Sequence, residues 1–134
     1  MRLLVSDPTS VVVDTNVVSV RAEDDSGSFG VLPGHADLLT VLAPSVVAWR
    51  DANGQLGWCA VRQGVLTVRG GDEVAIATRQ ARTGTDLDEL EHAVVAQFRA
   101  EADAERVARV AATKLHMQAI RQILRALRPP EIAP

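Results

Sequence analysis

The first 84 residues alternate short apolar runs with turn-forming residues, which is typical of β-strands joined by hairpins rather than of helices. The runs are rich in β-branched side chains. Two of the turns contain Asn53-Gly54 and Gly70-Gly71, dipeptides that favour tight hairpins. The predicted strand pairs are residues 11–13 with 17–22, 46–49 with 56–61, and 65–68 with 73–78. Several short strands at this spacing predict a β-sandwich or a barrel, with Trp49, Trp58 and Phe29 as its bulky contacts.

The pattern changes at Gly84, because no glycine follows it and proline returns only at Pro129. Thr85 or Asp86 can cap the free N–H groups of a helix start, and the acidic residues of the next turn suit the positive end of the helix dipole. Apolar residues then recur every three or four positions, at Leu87, Leu90, Val94 and Phe98. This spacing predicts an amphipathic helix.

A second helix is predicted over about residues 105–127, where apolar residues continue a stripe before Pro129-Pro130 ends it. The break between the helices is expected in residues 100–104, but no strong helix breaker occurs there, so one long helix is an open alternative. Residues 86–103 are mainly acidic and residues 105–128 mainly basic, which favours antiparallel packing of the two helices. Since exposed ion pairs contribute only about 0–1 kcal/mol each, such a hairpin would open easily.

The predicted fold class is therefore β plus α. An N-terminal β-sandwich or barrel-like domain occupies residues 1–84, and an antiparallel two-helix hairpin with a proline-rich tail occupies residues 85–134. The 134-residue chain is 47% hydrophobic, which excludes a disordered protein. Its net charge of −3 and its aromatic content of 3% argue against nucleic-acid binding. Without a long apolar run or a signal-peptide pattern, we expect a cytoplasmic protein.

Catalytic and metal-binding patterns are weak in this sequence. Cys59 lies in a predicted strand with no visible general base, so an inert structural role is favoured over a nucleophile. His35, His92 and His116 lack the i, i+4 pairing and the carboxylate partners of zinc sites. Residues 26–30 lack the spacing and the Lys-Ser/Thr ending of a phosphate-binding loop. We therefore expect no enzyme, no catalytic residue, no metal and no cofactor.

One segment is more specific, and it reads Phe29-Gly30-Val31-Leu32-Pro33-Gly34-His35-Ala36-Asp37-Leu38-Leu39-Thr40-Val41-Leu42. It resembles the signature of the epsilon subunit of F-type ATP synthases, in which Pro-Gly-His-Ala is followed by Pro-Leu-Leu-Thr. Asp37 stands where that signature has proline. Read from the residues alone, Pro33 and Gly34 form a tight turn in which His35 can bond the backbone. The order of strands and helices agrees over essentially the whole chain.

The resemblance implies a non-catalytic subunit of the central rotor, whose sandwich docks on the gamma subunit and on the membrane c-ring. The implied gamma contacts are Pro33, Gly34, His35, Ala36 and Thr40. The implied c-ring contacts are Ser26, Gly27, Ser28 and Phe29. Such a subunit would couple the catalytic head to the c-ring. It would lie at the cytoplasmic face of a bacterial plasma membrane and be associated with the membrane only through the complex.

The resemblance also implies a regulatory role for the C-terminal helices, which in the family restrain ATP hydrolysis by the head of alpha and beta subunits. A basic stripe would face an acidic loop of the beta subunits, and it consists of Lys114, Arg121, Arg125 and Arg128. The spacing of these residues places them on one helical face. A solvated basic face that pairs with the first helix is an equal alternative.

Two further comparisons qualify the resemblance. Some family members bind ATP through Ile/Leu-Asp-x-x-Arg-Ala, but residues 87–92 have Glu-His in place of Arg-Ala, so we expect no tight ATP binding. Residues 49–50 and 59–61 look like the divergent second F-type ATPase, the N-ATPase, of some bacteria.

A free-standing nucleotide-sensing module is the alternative function. A cupin-type enzyme would need a histidine cluster that this sequence lacks.

Overall fold

The structure is a computed structural model that describes residues 1–127. Arg128 and the helix stop expected at Pro129-Pro130 lie outside the described residues. The helical region begins with α1 (Leu87–Glu89), passes through one π-helical turn (Leu90–Val94), and continues as α2 (Val95–Leu127). Ten strands precede it: β1 (Arg2–Ser6), β2 (Val11–Asn16), β3 (Ser19–Asp24), β4 (Gly27–Val31), β5 (Leu38–Leu42), β6 (Ser45–Arg50), β7 (Leu56–Val61), β8 (Gly64–Arg69), β9 (Glu73–Thr78) and β10 (Ala81–Gly84).

The ten strands form one hydrogen-bonded sheet that folds over on itself. Along the sheet the order is β10-β7-β6-β3-β5-β8-β9-β1-β2, and β4 pairs with β3 beside this path. The β1–β9 pair is parallel, whereas hairpins such as β6–β7 and β8–β9 are antiparallel. The two ends of the order, β10 and β2, also contact each other. The sheet is thus a sandwich or nearly closed barrel, which confirms the predicted β domain.

Two of the three predicted hairpins are present, and one is wrong. The β6–β7 and β8–β9 turns contain Asn53-Gly54 and Gly70-Gly71, and the glycines of both have positive φ. Residues 14–16, expected as a turn, instead continue β2 along β1. Asp14 suits a strand because its carboxylate accepts two hydrogen bonds of 2.9 Å from the Arg2 guanidinium of β1.

The core of the sandwich consists almost entirely of aliphatic side chains. Leu3, Leu42, Leu66 and Ile76 are fully buried together with several valines. The predicted aromatic contacts are confirmed, since Phe29 and Trp49 pack against this core and Trp58 packs against a second, smaller cluster.

The second cluster holds the first turns of the helical region on the sandwich. Asp86 caps α1 as predicted, because its carboxylate accepts hydrogen bonds from the N–H groups of Asp88 and Glu89. Of the four apolar residues predicted to form the stripe of the first helix, Leu90, Val94 and Phe98 are buried and Leu87 is partly exposed. The buried members of the cluster are Ala60, Leu90, Val94, Val95 and Phe98, with Val46 and Trp58 partly buried beside them.

The described residues contain one uninterrupted helix from Val95 to Leu127 in place of two helices with a break in residues 100–104. The alternative of one long helix is therefore what the described residues form, and the antiparallel hairpin is absent from residues 1–127. The physical reason is local: residues 100–104 are alanines and acidic residues without glycine or proline, so no residue there ends a helix. Exposed opposite charges are too weak to fold the helix back.

Two compact units make up the chain: the first is Met1–Ala100, and the second begins at Glu101. The first unit thus includes the sandwich and the helical turns that pack on it. From residue 106 to residue 127 every residue of the second unit is exposed. Among the described helices, none combines the length and the apolar character that crossing a membrane requires.

Candidate functional site

The Pro-Gly-His segment forms a tight turn between β4 and β5, as the sequence predicts. The N–H of His35 donates to the Leu32 carbonyl oxygen at 3.0 Å, which closes the turn. Gly34 has a φ of +86°, a backbone conformation that side-chain-bearing residues rarely adopt. The ring Nδ1 of His35 lies 2.6 Å from the Ala36 carbonyl oxygen, so Nδ1 carries the proton and the ring is held by the backbone. Pro33, Gly34 and Ala36 are exposed.

This turn is fastened to the β8–β9 turn. The N–H of Gly34 donates to the Gly71 carbonyl oxygen at 2.7 Å, and the N–H of Gly70 donates to a carboxylate oxygen of Asp37 at 2.9 Å. A Cβ atom on Gly71 would lie only 2.8 Å from the Cα atom of Gly34, so the two turns touch through glycine backbones. Asp37 thus has a structural reason to replace proline here, because only the carboxylate can accept the Gly70 hydrogen bond.

An exposed apolar face lies on β5 and β8 and runs from the side of the turn toward the far end of β5. Leu39 and Val41 are 70% and 59% exposed, and Val65, which pairs with Val41 across the two strands, is 39% exposed. We call these three residues the apolar face. Sequence reasoning missed it, although the run at residues 38–42 is apolar at nearly every position instead of alternating, which is a signal of a strand covered on both sides.

Thr40, the fifth expected gamma contact, does not belong to the apolar face. Side chains alternate along a strand, so Thr40 points to the same side as the buried Leu42 and away from Leu39 and Val41. Thr40 is half-buried, and its hydroxyl donates to a carboxylate oxygen of Asp24 at 2.8 Å. The structure therefore places the Thr40 side chain on the opposite side of β5 from the apolar face.

The four expected c-ring contacts lie at the β3–β4 hairpin. Ser26, Gly27 and Ser28 are exposed, whereas Phe29 is partly buried against the sandwich core. Gly27 has a φ of +120°, which only glycine adopts readily. Since β4 is five residues long, this hairpin and the Pro-Gly-His turn lie at opposite ends of the strand, roughly 17 Å apart.

The basic stripe lies on α2 and is exposed. Lys114, Arg121 and Arg125 share one side of the helix, and Arg128 lies outside the described residues. An apolar flank of Val110, Met117 and Leu124 runs along the same side at spacings of seven residues, and these side chains are 51%, 49% and 62% exposed. The surface can therefore meet a partner that offers both carboxylates and apolar side chains.

Reactive and metal-binding groups are sparse in the structure. Cys59 is fully buried, and burial raises the pKa of its thiol to about 11, so the reactive thiolate is scarce at neutral pH. Within residues 1–127, no group of three or more histidine, cysteine, aspartate or glutamate side chains is arranged to hold a metal ion.

Comparison with known proteins points to one family. Residues 1–84 match the family model described as "ATP synthase, Delta/Epsilon chain, beta-sandwich domain". ATP synthase epsilon chain 2 of Paraburkholderia xenovorans is 48% identical over 130 residues, which cover 96% of this chain and 94% of that protein. ATP synthase epsilon chain 2 of Cereibacter sphaeroides is 43% identical over 128 residues, which cover 95% and 88% of the two proteins.

Two solved structures share the fold. A chain of the Euglena gracilis mitochondrial ATP synthase superposes with a TM-score of 0.60 at 24% identity, covering 76% of this chain and 62% of that chain. A chain of the Tetrahymena thermophila mitochondrial ATP synthase central stalk and c-ring gives a TM-score of 0.52 at 14% identity, covering 60% and 64%. This chain thus spans less than two thirds of the length of either solved chain. With the family model and the nearly full-length relatives together, the chain belongs to the family of ATP synthase epsilon chains.

Proposed function

We propose that this protein is a central-stalk subunit that couples the catalytic head of an ATP synthase to the membrane c-ring, during ATP synthesis or ATP-driven ion transport. Epsilon chains are non-catalytic accessory subunits, so the nucleotide chemistry belongs to the alpha and beta subunits. The observation that carries the proposal is the apolar face beside the Pro-Gly-His turn. Exposed apolar side chains that lie next to one another, as these do, are typical of surfaces that a partner covers.

The apolar face and the Pro-Gly-His turn form the surface for the gamma subunit. Leu39, Val41 and Val65 offer an area that loses its contact with water on docking, which is the main favourable term in most protein association. The turn beside them is rigid, because hydrogen bonds join it to the β8–β9 turn. A rigid surface loses little conformational freedom when a partner binds, which favours affinity.

The β3–β4 hairpin faces the polar loops of the c-ring. Ser26, Gly27 and Ser28 offer hydroxyl and backbone groups in an exposed turn, which suits a polar partner. Phe29, the fourth expected c-ring contact, is partly buried and anchors the hairpin on the core. The subunit is peripheral, on the cytoplasmic face of a bacterial plasma membrane, and it reaches the membrane only through the complex.

Docking is tested by co-expressing the chain with the gamma subunit of the same ATPase and measuring the complex by size-exclusion chromatography with mass determination. We expect a stable equimolar complex, and we expect Val41→Glu to weaken it strongly by placing a charge in the apolar face. Val11→Glu is the matched control, since Val11 of β2 is 58% exposed and Val41 is 59% exposed. Equal binding by both variants would remove gamma docking from the apolar face.

The exposed half of α2 restrains ATP hydrolysis by engaging the catalytic head through the basic stripe. The stripe and its apolar flank support this role, because acidic loops can pair with Lys114, Arg121 and Arg125. Changing Arg121, Arg125 and Arg128 together to alanine should raise the ATPase rate of the assembled head. Arg106→Ala with Arg109→Ala removes charge elsewhere on the helix and serves as the control. An unchanged rate, with the subunit still bound, contradicts the inhibitory role.

A nucleotide-sensing module is the alternative that calorimetry separates from the rotor subunit. Glu91 and His92 are exposed and stand where an ATP-binding member carries arginine and alanine, so an acid replaces the cation. Like charges repel a polyphosphate, so we expect no heat of binding when ATP is titrated into the chain. Micromolar ATP affinity would support the sensor instead.

A further inference from the structure

The Asp24 carboxylate joins two segments that the proposed function assigns to different partners. One oxygen, Oδ1, accepts hydrogen bonds from the N–H of Ser26, at 2.9 Å, and from the Ser26 hydroxyl. The other oxygen, Oδ2, accepts the hydroxyl hydrogen of Thr40 at 2.8 Å. Ser26 lies in the turn proposed to face the c-ring, and Thr40 lies on β5, the strand that carries the apolar face.

The backbone joins these two segments only sparsely. β3 pairs with β6 through Ser19–Arg21, but its register with β5 consists of the single pair Asp24 and Leu42. One further hydrogen bond, from the Ala43 N–H to the Glu23 carbonyl oxygen at 3.2 Å, lies next to that pair. The side-chain bond from Thr40 to Asp24 therefore adds a substantial share of the connection between the hairpin and β5.

The carboxylate is well suited to hold both segments. Hydrogen bonds from the hydroxyl groups of Ser26 and Thr40 lower the pKa of Asp24, so it stays ionised at neutral pH. Hydrogen bonds to an ionised acceptor are shorter and stronger than those between neutral groups. The neighbouring Asp25 is exposed, so it offers a matched acidic position outside this arrangement.

We propose that Asp24 is a positioning residue that holds the c-ring-facing hairpin in a fixed orientation relative to the gamma-facing strand β5. The proposal rests on the proposed docking of the hairpin and of β5 to those two partners. A hairpin between two partners that turn together carries a load, and that load acts on the few bonds that join its tip to β5. The Asp24 bond to Thr40 braces the hairpin against β5 and so keeps the two docking surfaces in a fixed relative position.

The brace is tested first in the isolated full-length chain by hydrogen exchange. Thr40→Val removes the hydroxyl and keeps the shape of the side chain. We expect amides of residues 26–29 to exchange about fivefold faster, the factor that corresponds to the loss of about 1 kcal/mol from one hydrogen bond. Asp24→Ala should have a larger effect at the same amides, and Asp25→Ala should leave them unchanged. Unchanged exchange in Thr40→Val overturns the proposal, whether or not the chain binds its partners.

The second test measures ions pumped per ATP hydrolysed in the assembled ATPase. We expect Thr40→Val and Asp24→Ala to assemble with gamma and the c-ring, to hydrolyse ATP, and to pump fewer ions per ATP than the wild-type complex. Asp25→Ala should match the wild type. A variant with faster exchange but a wild-type ratio overturns the coupling role. If the wild-type chain itself fails to bind gamma, the proposed function fails while the exchange result still reports on the brace.

Discussion

The β-sandwich and the exposed half of α2 differ in how far their apolar side chains are buried. In the sandwich, Leu3, Val47 and Leu66 are 0% exposed. In the helix the exposure of large apolar side chains runs from 43% at Ile120 to 74% at Leu127. The sandwich therefore gains its stability from its own core, whereas the helix holds together through backbone hydrogen bonds and the helix propensity of its residues.

The two regions therefore suit different tasks. A close-packed core resists deformation, so the sandwich can carry docking surfaces whose relative positions stay constant. Covering the exposed Val110, Met117 and Leu124 with a partner lowers the free energy, so the conformation of the helix depends on which partner is present. Docking therefore belongs to the sandwich, and regulation belongs to the helix in the function proposed above.

Matched leucine truncations in the two regions should differ most in their effect on stability. Leu66→Ala should lower the free energy of unfolding by about 3 kcal/mol, because it opens a cavity in a closed core. Leu124→Ala, at a side chain that is 62% exposed, should change it by less than about 0.5 kcal/mol. Urea denaturation followed by tryptophan fluorescence measures both. Equal losses would show that the exposed half of the helix is packed after all.

A second test places the boundary between the two regions by truncation. A chain ending at Ala100 should keep the wild-type unfolding free energy, because Phe98 and the rest of the second cluster remain. A chain ending at Gly84 uncovers Val46, Trp58 and Ala60 and should lose about 2 kcal/mol of it, even after the entropy of the helical turns is regained. Calorimetric unfolding distinguishes the two fragments. If both are equally stable, the first turns of the helical region contribute nothing to the sandwich.

The smallest predicted effect is a loss of stability at low pH. Hydrogen bonds lower the pKa of Asp7, chiefly those from the backbone N–H and the hydroxyl of Thr9, and the Arg2 guanidinium lowers the pKa of Asp14. A lowered folded pKa stabilises the fold above the unfolded value of about 3.9, and this contribution disappears as the pH falls through the folded value. Stability measured by urea titration should therefore fall below about pH 4. Asp7→Asn should reduce this loss of unfolding free energy at low pH. An equally steep loss in the variant would show that Asp7 does not contribute to the pH dependence.

Most of the fold could be predicted from the sequence, because its signals are local. Asn53-Gly54 and Gly70-Gly71 form the predicted hairpins, and Asp86 caps the predicted helix start. The wrong hairpin at residues 14–16 shows the limit of such signals. Polar residues on the outer side of a strand look like a turn until the partner strand, and here Arg2, is known.

The candidate site was predictable only in part. The Pro33-Gly34-His35 turn was predictable because proline and glycine restrict the backbone directly. The apolar face was missed, because the sequence does not tell which side of β5 is covered by its own chain. Strand alternation alone places Thr40 on the opposite side from Leu39 and Val41, but which of the two sides is buried follows from the pairing of β5 with the rest of the sheet.

The sequence alone was enough to establish the family signature, the β-rich first part, the helical second part and the turn residues, since each depends on residues close together along the chain. Tertiary contacts were needed to show that Asp37 reaches Gly70 and that Asp24 joins Ser26 to Thr40. The two carboxylate contacts link residues distant in sequence, and their formation depends on strand pairing and burial. The unbroken course of α2 has a local cause instead, because residues 100–104 contain neither glycine nor proline.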